Sequence, residues 1–122
     1  SIAPYGSLGQ GKPHPRHYGS FSRVLGLYVR DTSTLPMSLA IKKMTSTTAK
    51  KFNIINRGII KEKYYSDIAI FDPNTIKDNS DWNNPHQYSS GIRFVIVNGK
   101  ITISEGEHLG VLNGRIIRRG VL

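Results

Sequence analysis

The densest set of chemistry-bearing side chains lies in Lys12-Pro13-His14-Pro15-Arg16-His17-Tyr18-Gly19, which places a guanidinium, two imidazoles and a phenol between prolines. A guanidinium presents its N–H donors in a planar fork that matches a carboxylate through two parallel hydrogen bonds. Proline stiffens the chain and lowers the entropic cost of holding Arg16 in one pose. Arg16 is therefore a candidate clamp for an anionic group, with His14 and Tyr18 as candidate binding residues beside it. The alternative is a structural role, in which Arg16 pairs with a protein carboxylate or a helix end.

Other chemistry is sparse. His14 and His17 stand three apart with no third ligand nearby, and a zinc site needs at least three protein ligands. Cysteine is absent, which excludes disulfides, thiolate zinc sites and cysteine nucleophiles. Asp67 and Asp72 bracket a short strand, and Glu105 and Glu107 flank Gly106 in a turn, so no carboxylates form an acid/base pair. There is no G-x-S-x-G, phosphate loop or dinucleotide fingerprint. Gly6, Gly9 and Gly11 are glycine-rich, but no strand precedes them. The residues alone assign no catalytic group and no metal ligand.

The 122 residues carry a net charge of +9. Residues 1–60 hold nine basic groups against Asp31 alone, whereas residues 61–122 are nearly balanced. Such an excess suits either a polyanion surface or a solvated helical face. The basic residues form no run, and no aromatic residues interleave with them as stacking platforms. No apolar run approaches the roughly 20 residues of a membrane span. With no signal-peptide or lipid-anchor pattern, a cytoplasmic location is expected.

The elements that would position these groups follow from periodicity. Four glycines and three prolines predict a loop over residues 1–19. Phe21, Val24, Leu25 and Tyr28 repeat at i, i+3, i+4, i+7, which predicts an amphipathic helix capped by Ser20 or Ser22 with that face buried. Met37, Ala40, Ile41 and Met44 predict a second helix, with Thr34 as cap and Pro36 in the first turn. A third, shorter helix runs from Ser46 to about Phe52, with Asn53 as its stop. Asp67-Ile68-Ala69-Ile70-Phe71 reads as a buried strand closed by Asp72-Pro73-Asn74. Residues 74–91 read as an extended surface loop. Ile92 to Ser104 is a hairpin turning at Asn98-Gly99, the sequence of a type I′ turn. That turn predicts Val97 opposite Lys100, Ile96 opposite Ile101, Val95 opposite Thr102 and Phe94 opposite Ile103. Ile92, Phe94, Ile96, Ile101 and Ile103 then share one apolar face. A block of helices followed by a block of strands indicates an α+β arrangement in which each half lacks a partner.

His14-Pro15-Arg16-His17-Tyr18-Gly19-Ser20-Phe21-Ser22-Arg23-Val24-Leu25-Gly26 resembles the HPRxYGSFxRVLG segment of the N-acyl-D-amino-acid deacylases, the D-aminoacylases. The resemblance continues through Ile41-Lys42-Lys43-Met44-Thr45, Arg57-Gly58-Ile59-Ile60, Ala69-Ile70-Phe71-Asp72-Pro73, Pro85-His86-Gln87-Tyr88, Gly91-Ile92 and Val97-Asn98-Gly99. The first segment is specific to that family. The FDP and VNG pieces recur at the ends of many amidohydrolases, so a dihydroorotase- or hydantoinase-like cyclic amidase is an alternative. The family usually has Gly where Lys63 stands and Ala where Ser66 stands.

The resemblance implies the C-terminal portion of a zinc-dependent amidohydrolase that hydrolyses N-acyl-D-amino acids. It implies an α+β fragment: residues 1–54 would be the final loop and helices of a (β/α)8 barrel, and residues 55–122 the C-terminal strands of a small β-sandwich. The zinc ligands would lie on earlier strands, and a catalytic aspartate would fall just before Ser1, so this chain would ligate no metal and hold no catalytic residue. Arg16 would bind the substrate α-carboxylate. The implied partners are the N-acyl-D-amino acid and the N-terminal part of the enzyme, with no nucleic acid and no membrane. An uncovered apolar hairpin face would let the chain self-associate. The competing reading is a non-enzymatic basic module that binds a polyanion.

Overall fold

The structure is a computed structural model and describes residues 6–120. The first five residues of the loop expected over residues 1–19 lie outside them. Two compact units interleave along the sequence. One comprises the chain up to Leu35 together with Asp72–Gly91, and the other comprises Pro36–Phe71 together with the chain from Ile92 onward.

In the first unit a 3₁₀ turn at Gly6–Gly9 precedes helix α1, Arg16–Arg23. The helix therefore starts four residues earlier than the expected Ser20, and Arg16 opens a helix instead of sitting in a loop. The cause is Pro15, whose φ of −52° and ψ of −27° are already helical. A proline ring locks φ near the helical value and lacks only an N–H that a first turn leaves unbonded. The Pro15 carbonyl accepts the Tyr18 N–H at 3.0 Å and the Gly19 N–H at 3.3 Å. Helix α1 continues directly as a wider π-helix, Val24–Asp31, with the Thr32 N–H reaching the Leu27 carbonyl at 2.9 Å.

The buried face differs from the expected one. Leu25 is buried, but Phe21 is 70% exposed and Tyr28 is also exposed. Gly19, Ser22, Leu25 and Gly26 are the buried positions. Small side chains let residues 74–91 approach the helix backbone. A Cβ on Gly19 would stand 2.6 Å from the Asp78 Cβ, and one on Gly26 would stand 2.7 Å from the Ile76 carbonyl oxygen. Residues 74–91 are thus a packed strap rather than a surface loop. Ile76 is 1% exposed, Ser80 and Pro85 are buried, and Lys77 bridges Ser90 in antiparallel fashion. Single buried residues and backbone contacts hold the strap, so no periodic pattern marks it.

In the second unit, α2 spans Met37–Met44 and α3 spans Ser46–Lys51. Pro36 stands just before α2 with an extended ψ of 145°, not within its first turn. Thr34 does not cap α2; its hydroxyl pairs with that of Thr32 at 2.7 Å. Asn53 ends α3 as expected, with a left-handed φ of 52°. The Asn53 N–H bonds the Lys50 carbonyl at 3.1 Å, and the Ile54 N–H bonds the Ala49 carbonyl at 2.8 Å, closing the helix end.

Strands β1 (Ile68–Phe71), β2 (Ile92–Val97), β3 (Lys100–Ser104) and β4 (Glu107–His108) form an antiparallel sheet in sequential order. Asn98 and Gly99 have φ of 48° and 81°, the two positive values a type I′ turn requires. Val97 opposes Lys100 and Ile96 opposes Ile101, as the turn dictates. The register then shifts: Val95 opposes Ile103 and Phe94 opposes Ser104. Thr102 is the extra residue of a bulge, and its carbonyl accepts the Leu109 N–H at 2.9 Å. Pairing with β4 competes with the turn for the β3 register. Ile103 consequently leaves the face of Ile96 and Ile101 for that of Val95. Ile68, Ile70, Phe94, Ile96 and Ile101 share the other face, where Ile70 and Ile101 are 44% and 46% exposed.

The hairpin tip is tied to the residues before β1. Ser66 accepts the Gly99 N–H at 2.9 Å, and Asp67 accepts the Asn98 N–H at 2.8 Å. Arg57 pairs with Asp67 and donates to the Asn98 side chain at 2.7 Å. Lys63 adopts a left-handed φ of 66°. The backbone there suits glycine, and Lys63 occupies it at a cost of about 1 kcal/mol.

Candidate functional site

Arg16 is the first residue of α1 and is exposed. Among the described residues its guanidinium has no carboxylate partner. Arg23, seven residues on and on the same side of the helix, takes the Asp78 carboxylate at 2.8 Å. That hydrogen bond, ahead of the simple charge attraction, raises the Arg23 pKa above its ordinary value. Asp78 is therefore committed to Arg23.

His14 is fixed by the chain itself. Its Nδ1 accepts the Arg16 backbone N–H at 3.0 Å, which places the proton of the neutral ring on Nε2. Its ring and that of Trp82 meet in a T-shaped arrangement with centroids 4.5 Å apart. Asp81 accepts the backbone N–H groups of Asn83 and Asn84, each at 2.7 Å. These bonds, Asn84 first, push the Asp81 carboxyl below the usual carboxylate range.

His14, Arg16, Arg23, Asp78, Asp81 and Trp82 are among the residues lining a groove of about 340 Å³. Among the described residues it combines a guanidinium without a carboxylate partner, an aromatic wall and the Asp81 carboxylate, which is bonded to the Asn83 and Asn84 backbone. The guanidinium and the ring suit a carboxylate attached to an organic group. Tyr18 is held elsewhere in the same unit. Its hydroxyl donates to His86 Nδ1 at 2.7 Å, and its ring lies 5.8 Å from that of Tyr88. The structure thus brings Arg16 and His14 into the groove and engages Tyr18 with the strap.

Trp82, Asp78, Asp81 and His86 are missed by reading the sequence for site residues. They come from the strap, more than 50 residues after Arg16. The available signals are a single tryptophan in a polar stretch and the Pro85-His86-Gln87-Tyr88 motif. Among the described residues no three His, Asp or Glu converge where a metal could sit. Among them no helix is long and apolar enough to cross a membrane.

No family model matches the chain. It is 39% identical over 108 residues to D-aminoacylase of Alcaligenes xylosoxydans xylosoxydans, a match that covers 88% of this chain and 22% of that protein. A crystal structure of D-aminoacylase, described as defining a subset of amidohydrolases, superimposes with a TM-score of 0.86 at 40% identity, covering 88% of this chain and 23% of that one. The N-acyl-D-glutamate deacylase of Bordetella bronchiseptica, solved with zinc and a phosphonate mimic of the tetrahedral intermediate, gives a TM-score of 0.74 at 36% identity over 84% of this chain and 23% of that one. The chain spans about a fifth of the length of these proteins.

Proposed function

We propose, from a chain homologous to part of the D-aminoacylases and related N-acyl-D-amino-acid deacylases, that it is the C-terminal segment of a zinc-dependent hydrolase. The reaction is hydrolysis of the amide of an N-acyl-D-amino acid to a carboxylate and a free D-amino acid. In this reading residues 1–54 are the end of the barrel and residues 55–122 the C-terminal part of the sandwich. The order of elements supports it: among the described residues every helix lies before Phe52 and every strand after Asp67.

The described residues do not fit a metal. The zinc of this reading belongs to the rest of the enzyme. What this chain supplies is recognition. Arg16 takes the substrate α-carboxylate in its fork, with His14 beside it in the groove and Tyr18, bonded to His86, supporting the segment from the strap side. Holding the carboxylate while the amide is held elsewhere leaves two directions at the α-carbon. Which of them accepts the side chain reads its handedness. Such positioning converts binding into a correctly oriented amide, a contribution that can reach several kcal/mol.

The observation that carries the reading is the Arg16 guanidinium, lining a groove with no carboxylate partner among the described residues. The test is Arg16→Ala in the complete enzyme, assayed on an N-acetyl-D-amino acid and on the N-acetyl amine that lacks the carboxylate. The expected result is a loss of kcat/KM of roughly 10²-fold or more on the acid and little change on the amine. Equal losses on both, or none, would overturn it.

A further inference from the structure

We infer that His86 is a positioning residue for Arg16, stapling both ends of the segment that carries it; this rests on Arg16 reading the substrate carboxylate. Pro15 at the cap position makes no side-chain hydrogen bond and no acidic residue stands in the first turn of α1, so the Arg16 N–H relies on His14 Nδ1 at 3.0 Å. A cation at a helix N-terminus also opposes the helix dipole. The start of α1, where Arg16 sits, is thus set by His14 and Pro15, and the segment that carries them must itself be held.

His86 supplies that restraint with both ring nitrogens. Its Nε2–H donates to the Gly11 carbonyl at 2.8 Å, and its Nδ1 accepts the Tyr18 hydroxyl at 2.7 Å. A carbonyl only accepts, so one neutral tautomer, with the proton on Nε2, satisfies both partners. Gly11 and Tyr18 bracket His14 and Arg16. Between Gly11 and α1, Pro13 and Pro15 have locked φ angles, so fixing Gly11 leaves little freedom at His14 and Arg16. The imidazole is itself held by the strap. Pro85 is buried, and its carbonyl accepts the Ser80 hydroxyl at 2.6 Å and the Gln87 N–H at 2.9 Å. The Tyr18 and His86 rings meet edge-on at 5.5 Å.

The experiment is a double-mutant cycle between His86→Ala and Arg16→Ala in the complete enzyme, on the same acid and amine. His86→Ala should lower kcat/KM on the N-acetyl-D-amino acid by about 10-fold or more, leave the amine nearly unaffected and add little once Arg16 is gone. His86→Gln, which keeps one donor and one acceptor, should recover part of the loss, and it carries the cycle if His86→Ala fails to fold. An unchanged kcat/KM, or the same loss with and without Arg16, would overturn the inference. If Arg16→Ala itself affects acid and amine equally, the carboxylate reading falls, whatever His86 does.

Discussion

Arg23 holds the Asp78 carboxylate at 2.8 Å, and this pair leaves Arg16 without that carboxylate on the same side of the helix. Asp78 lies on the strap and packs against Gly19. A Cβ on Gly19 would meet the Asp78 Cβ at 2.6 Å, so the close approach of strap and helix seats Asp78 where Arg23 can reach it. That Arg16 has no carboxylate partner among the described residues is thus a consequence of packing as much as of sequence.

Arg16→Lys should restore only part of the activity lost in Arg16→Ala. A lysine ammonium keeps the charge but cannot form two parallel bonds to a carboxylate. Steady-state kinetics of the three enzymes check this; full recovery would mean that charge alone is read.

Gly26→Ala should destabilise the protein, although alanine is the better helix former by about 1 kcal/mol. The new methyl would press on the Ile76 carbonyl oxygen at 2.7 Å, a backbone atom with little room to yield. Overpacking of this kind costs about 1–3 kcal/mol, which outweighs the propensity gain. The midpoint of denaturant unfolding gives the sign.

Lys63→Gly should stabilise by about 1 kcal/mol, because it removes the side chain from a left-handed φ of 66°. The same unfolding measurement should show a higher midpoint. A lower one would mean that the unfolded-state entropy of glycine dominates.

Asp81 gives a pH dependence of defined sign. The Asn84 and Asn83 N–H groups favour its ionised form in the folded state and lower its pKa. The stability it contributes is therefore present above the ordinary carboxylate pKa and is lost as pH falls through the lowered folded value. An NMR titration of the Asp81 carboxyl should find its midpoint below the ordinary value of 3.8, and Asp81→Asn should abolish that part of the acid response.

The isolated 122-residue chain should hold no stoichiometric zinc and should not hydrolyse N-acetyl-D-amino acids. Metal analysis showing one tightly bound zinc, lost on changing His14 and His17, would contradict this.

Local chemistry determined what depends on neighbours in sequence. Asn98-Gly99 set the hairpin turn and its first two pairs, Asn53 stopped α3, and the spacing of Met37, Ala40, Ile41 and Met44 marked α2. The HPR motif pointed to Arg16. Tertiary structure decided what depends on distant partners. Periodicity marked Phe21, Val24, Leu25 and Tyr28 as the buried face, but backbone packing of the strap selected Gly19, Ser22 and Gly26, because only small residues admit Ile76 and Asp78. The two-residue turn could not hold register past Ile101, where pairing with β4 displaced Thr102. The committed Asp78, the aromatic wall of Trp82 and the His86 staple lie more than 50 residues from the motif they serve. Their distances were set by long-range packing, which no local pattern encodes.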